Sequence, residues 1–145
     1  MKDPSYTIRN AYYTLLNGQL TSEGNNVPVY DEHAPAEAPA VYVLLGAQTT
    51  FQRGSRTGFI TNCSIIVNVV TRFPAAEQGN KKQADDIANQ ITQIINPDPV
   101  TQIDLSPDFF CIATNVEGSN SSSSHDQVYK YNEKAVRFSH IVEQL

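Results

Sequence analysis

Residues 59–73 read FITNCSIIVNVVTRF, and the fold turns on this string. Phe59, Cys63, Ile65, Val67, Val69 and Phe73 share one parity, interrupted only by Thr61 and Thr71. The other parity holds Asn62, Ser64, Asn68 and Arg72, with Ile60, Ile66 and Val70 among them. Period two sustained over so long a run marks a strand with one face against a core. Pro74 ends it. Extended at ~3.3 Å per residue, the run spans about 50 Å. A domain of this size, with a radius of gyration of roughly 15 Å, is only about 40 Å across. The strand must therefore bend, bulge or protrude, and a protruding strand exposes edges and an apolar tip that need a partner.

On its N-terminal side lies a polar, glycine-flanked stretch, 46–58, read as a long hairpin loop. Before it, Val41-Tyr42-Val43-Leu44-Leu45 is apolar on both faces and reads as a buried strand. The Ala/Pro string at 33–39 (HAPAEAP) is a stiff connector, because each proline pushes its predecessor toward extended geometry. Residues 27–31 form a short extended piece, placed at a sheet edge by Pro28, and 21–26 is a polar loop. The chain opens with a helix from Pro4-Ser5 to about Asn17, with Ile8, Tyr12, Leu15 and Leu16 on one stripe. Asn17-Gly18 stops it.

On the C-terminal side the period changes. From Asn80 to Asn96 the apolar positions are Ala84, Ile87, Ala88, Ile91, Ile94 and Ile95, with Lys81, Lys82, Asp85 and Asp86 on the wet side. That is an amphipathic helix, stopped by Asn96-Pro97-Asp98-Pro99. Two extended segments follow at 100–105 and 109–116. The string EGSNSSSSHD at 117–126 reads as a low-complexity loop, and 128–143 is a closing strand alternating Val136, Phe138, His140 and Val142. The order is α-β-β-β-α-β-β-β. It implies a single α+β domain over 1–145: a mixed, mostly antiparallel sheet of about four to five strands with two helices packed on one face. An extended hairpin arm is expected around 44–60 and a flexible loop at 117–127.

The 40% hydrophobic content can supply a core, and a chain of this length buries roughly 70% of its unfolded surface. Cys63 and Cys111 both lie in apolar stretches and read as buried free thiols rather than a disulfide. No apolar run follows Met1-Lys2-Asp3-Pro4, so no secretory leader is expected, and no stretch approaches the ~20 apolar residues of a membrane span. The expectation is a soluble protein made in a reducing compartment, with no membrane partner. A net charge of −5 argues against general affinity for nucleic acid, although an acidic surface lets a duplex slide past.

Candidate chemistry is thin. Ser124-His125-Asp126 contains the residue types of a hydrolase triad, but consecutive residues cannot converge on one reacting atom. In Asp31-Glu32-His33 only the first and third point to the same side of a strand, so at most those two share an ion. His140 reads as a satisfied, half-buried histidine. The expectation is no enzyme, no metal site and no cofactor. The stretch 46–58 stands out as a contact arm without any acidic residue. Gln48, Thr49, Phe51, Gln52, Arg53, Arg56 and Thr57 are its candidate contact residues.

Four stretches resemble the tail-completion and tail-terminator family of tailed bacteriophages. They are Ala11-Tyr12-Tyr13-Thr14-Leu15-Leu16 in the opening helix; Val29-Tyr30-Asp31 with the connector and Pro39 to Gly46; the long strand ending Val69-Val70-Thr71-Arg72-Phe73 before an amphipathic helix; and Val136-Arg137-Phe138 in the last strand. The serine-rich stretch and the longer Ala/Pro connector depart from the family pattern. The resemblance implies a structural virion protein of the neck or tail, without catalytic residues. Such a protein forms a ring, commonly hexameric, that ends the tail tube and joins it to the head connector. Its partners are then copies of itself, portal or adaptor proteins and the tail-tube protein, with DNA passing through the lumen without specific binding. Assembly in the host cytoplasm and residence in the virion follow from the same resemblance.

Overall fold

The computed structural model describes residues 1–54, 56–76 and 81–145. Helix α1 (Ser5–Leu16) starts where the Asp3 carboxylate accepts hydrogen bonds from the Ser5 amide and hydroxyl, at 2.9 and 2.6 Å. It ends at Asn17, and Gly18 turns the chain at a φ of 82°. Ile8, Tyr12 and Leu16 are buried, whereas Leu15, expected on the same stripe, is exposed. In place of the expected polar loop, a small ladder pairs β1 (Thr21–Ser22) with β2 (Asn25–Asn26). It turns through Glu23 and Gly24, both at positive φ.

β3 (Val29–Asp31) runs parallel to β4 (Val41–Arg53) at the sheet edge where Pro28 suggested it. From there β4, β5 (Ile60–Pro74), β7 (Tyr129–Gln144) and β6 (Phe109–His125) are antiparallel neighbours. The five-stranded order is β3-β4-β5-β7-β6. Helix α2 (Lys82–Ile95) connects β5 to the β6–β7 hairpin; Asn80, expected at its start, lies outside the described residues.

One face of the sheet carries Val43 and Leu45 of β4, Ile65, Val67 and Val69 of β5, and Val136, Phe138 and Val142 of β7. Ile8, Tyr12 and Leu16 from α1 and Ile87, Ile91 and Ile95 from α2 close over it. Each fully buried side chain of this size contributes roughly 1.5–3 kcal/mol. The fold is thus α+β, with a mixed sheet and both helices on one face. Cys63 and Cys111 are buried and free. They sit on β5 and β6 with β7 between them. Burial pushes the Cys63 thiol up to about 12 and raises that of Cys111.

Three further segments differ from the sequence reading. Residues 100–105 are not a strand but an irregular segment. The Asp98 carboxylate takes the amides of Val100 and Thr101, and that of Asp104 takes the amide of Ser106. These local turns compete with a ladder, and the segment still delivers Ile103 and Leu105 to the core. The supposed loop at 46–58 is strand as far as Arg53, with a register shift between Leu45 and Gln48. At Gly46 a side chain would meet the Asn68 amide at 2.6 Å. The serine-rich stretch, expected as a loop at 117–127, is strand through His125, paired with β7 from Lys130 to Arg137.

The last two differences have one cause. Helices of 12 and 14 residues are about 18 and 21 Å long, whereas the long strands span about 50 Å. Past Gln48 on β4 and past Gly118 on β6 the strands run out beyond the helical layer, so residues there lie in solvent and show no hydrophobic alternation, while Thr61, Cys63, Cys111 and Val142 on the inner strands and β6 stay buried.

Candidate assembly surface

At the β4–β5 end of the sheet, four strands finish level. Arg53 faces Ile60, Ile60 faces Glu143, and Glu143 faces Phe110. Directly opposed residues share a face, so Arg53, and two residues earlier Phe51, belong to the face without helices. Phe51 is 68% exposed and Phe110 56%. Arg56 and Thr57 lie exposed in the turn beyond. Among the described residues, neither Arg53 nor Arg56 has an ion-pair partner.

The structure divides the seven candidate contact residues. Phe51, Gln52, Arg53, Arg56 and Thr57 are exposed around the turn. Gln48 instead spends its amide on the fold: Nε2 donates to the Ser5 carbonyl and Oε1 accepts from Arg9 Nη1, both at 2.9 Å. Arg9 also holds Asp31 at 3.0 Å, tying α1 to β3 and β4. The Thr49 hydroxyl shares a short hydrogen bond with Ser64.

Beneath this end lies a buried polar chain. The Tyr12 hydroxyl meets His140 Nε2 at 2.6 Å, His140 Nδ1 meets Thr114 Oγ1 at 2.9 Å, and that hydroxyl donates to Gln102 Oε1 at 2.6 Å. With the Thr114 proton committed to Gln102, Nδ1 must carry the histidine proton and Nε2 must accept from Tyr12. Every polar atom is satisfied with the ring neutral. Burial accordingly pushes the His140 imidazole down to about 4 and raises the Tyr12 phenol. Cys111 Sγ lies 3.6 Å from His140 Nδ1. With its pKa raised it stays a thiol rather than a nucleophilic thiolate.

Sequence reasoning missed the exposed apolar residues of β6, namely Phe110, Ile112 and Val116. A signal was present: in Phe109-Phe110 one ring must face away from the core, because neighbours along a strand point to opposite sides. It also missed the aromatic group at the far end. There Tyr30 meets Tyr42 and Tyr129 meets Tyr131, both edge to face, and Arg72 lies 4.4 Å over the Tyr129 ring.

The two remaining polar strings have structural occupations. Ser124 and His125 are consecutive strand residues, and the Asp126 carboxylate accepts the amides of Val128 and Tyr129 to form the turn. Asp31 is held by Arg9, and the exposed His33 ring is 3.9 Å from Glu32. Among the described residues, no helix is long and apolar enough to cross a membrane.

No protein-family model and no curated protein matches this chain. Its fold is nevertheless shared. A chain in the solved structure titled "Virion of native gene transfer agent (GTA) particle" superposes with a TM-score of 0.64. The match covers 96% of this chain and 90% of that one, at 15% sequence identity. The likeness therefore lies in the helix–sheet architecture and takes in the overhanging strands as well as the core.

Proposed function

We propose that this chain is a structural protein of a phage-like virion, placed at the neck or tail. The observation that carries the reading is the likeness to a chain of the gene transfer agent virion across nearly the whole length of both chains. In its full form, copies of the chain close into a ring, hexameric, that ends the tail tube and joins it to the head connector. Portal or adaptor proteins and the tube protein are the neighbours. An acidic chain of net charge −5 lines the lumen and lets DNA pass without binding it specifically. No reaction and no cofactor belong to this role. The overhanging sheet, with unpaired arginines and exposed aromatic rings at one end, supports a protein whose working parts are contacts.

Negative-stain microscopy of the purified chain, alone and mixed with isolated tail tubes and connectors, tests the reading. Rings in solution, or a cap on the tube end, are expected. Binding to the connector but never to a tube end would make the chain a head–tail adaptor instead. Monomer alone, with no ring on either partner, would overturn the proposal.

A further inference from the structure

The sheet has two open edges. β3 covers β4 only from Val43 to Leu45, so residues 46–53 have no backbone partner but β5 among the described residues. On the far side, among the described residues, the backbone of 110–125 makes backbone hydrogen bonds only to β7. Open edges are templates for another strand. The two differ in chemistry. From residue 38 to 76 there is no Asp or Glu, and the arginines are Arg53, Arg56 and Arg72. From residue 83 to 129 there is no Lys or Arg, and seven acidic residues occur; near β6 these are Asp104, Asp108, which holds Lys2 at 3.2 Å, and Glu117, which holds Arg137 at 2.8 Å.

The edges also match in level and polarity. Gln48 aligns across the sheet with Val116, through Ile65 and Phe138, and Arg53 aligns with Phe110. The open part of β4 and residues 109–116 of β6 therefore lie side by side in height, at opposite edges. β6 divides at Gly118: the first half exposes Phe110, Ile112 and Val116, while the second is almost all serine. Only the first half offers apolar surface to bury. Because β4 and β6 run antiparallel, a copy displaced along the sheet presents its β4 antiparallel to the first copy's β6. That is the polarity of every long pair in the sheet. The bulges at 112 and 117 bend β6 without ending its pairing.

We propose that these edges join copies of the chain, with residues 48–53 of one copy pairing antiparallel with residues 110–116 of the next. The contact is head to tail, so repetition by rotation closes a ring. Arg53 and Arg56 then approach the acidic side of the neighbour, and Phe51 meets its exposed apolar residues. This rests on the ring reading above and names the surface that makes the ring.

Engineered disulfides test it on the full chain. Within one copy, Thr49 and Asn115 are three strand spacings apart, about 14 Å, beyond the roughly 7 Å reach of a disulfide. Thr49→Cys combined with Asn115→Cys should give, under mild oxidation, a ladder of cross-linked species on a non-reducing gel. Each single variant should give dimers at most. Thr49→Cys with Ala113→Cys captures a register slipped by two. Rings by microscopy without a ladder from either pair would overturn the edge pairing and leave the ring reading standing. Monomer at every concentration would overturn both.

Discussion

The two ends of the long sheet are built alike and dressed differently. At each, an outer strand, β4 or β6, runs out into solvent. The β4–β5 end carries Phe51, Arg53, Arg56 and Phe110, above a buried Tyr12–His140–Thr114 chain. The β6–β7 end carries serines on β6 and a Tyr129–Arg72 stack on the sheet face. An edge strand left in water must be prevented from indiscriminate pairing. Serine along 119–124 does that at one end, offering a neighbour no apolar gain. The other end keeps apolar and cationic groups exposed, which costs solubility unless something covers them. Under the proposed ring, the contrast makes the β4–β5 end the expected place of association and the serine-rich end a passive extension.

The largest expected effect separates the ends directly. Arg53→Glu with Arg56→Glu should weaken ring assembly by 100-fold or more, on the order of 3 kcal/mol, because like charges then meet across the contact. The melting temperature should hardly move, since both side chains are exposed. Ser121→Glu with Ser123→Glu also introduces two glutamates, at the other end and without removing a positive charge, and should change assembly less than about threefold. Light scattering across a dilution series reads both. Equal losses from the two pairs would erase the distinction.

Next comes acid stability. His140 is neutral when buried and titrates near 4, against 6.5 unperturbed. Between those values the unfolded chain binds the proton and the folded chain does not, so stability is complete above about pH 6.5 and falls as the pH drops toward 4. The loss amounts to roughly 3 kcal/mol. Urea denaturation at pH 7.5 and 4.5 should show it, and His140→Gln should flatten this part of the profile. An unchanged slope would mean that His140 is not held neutral beneath the β4–β5 end.

A smaller effect belongs to the far end. Arg72→Ala removes the cation over Tyr129 and should cost about 0.5–1 kcal/mol, with assembly unaffected. A loss of assembly there would move the contact surface to the tyrosine group.

What the sequence made legible follows the same division. The core strand, both helices and the class were readable because burial writes a period into residues such as Val67, Val69, Ile87 and Ile91. Beyond the helices that period vanishes while backbone pairing continues, so Thr49 to Arg53 and Ser119 to Ser124 read as loops although they are strand. Conversely, Ile103 and Leu105 alternate like a strand but belong to an irregular segment fixed by Asp98 and Asp104. The exposure of Phe51, Arg53 and Arg56 was legible from their place in a polar stretch without acidic residues. Gln48 was not, because only the folded chain brings it to Arg9 and the Ser5 carbonyl. Phe110 and Ile112 fall in a segment read as extended, but which of the neighbours Phe109 and Phe110 faces the helices is decided only by the fold.

The central claim is that this chain acts by closing into a ring, and its mass in solution tests that most directly. Light scattering on the purified chain at high concentration should give about six times 16.0 kDa, falling toward one chain on dilution. A single species of 16.0 kDa at every concentration, with or without tail tubes present, would contradict it.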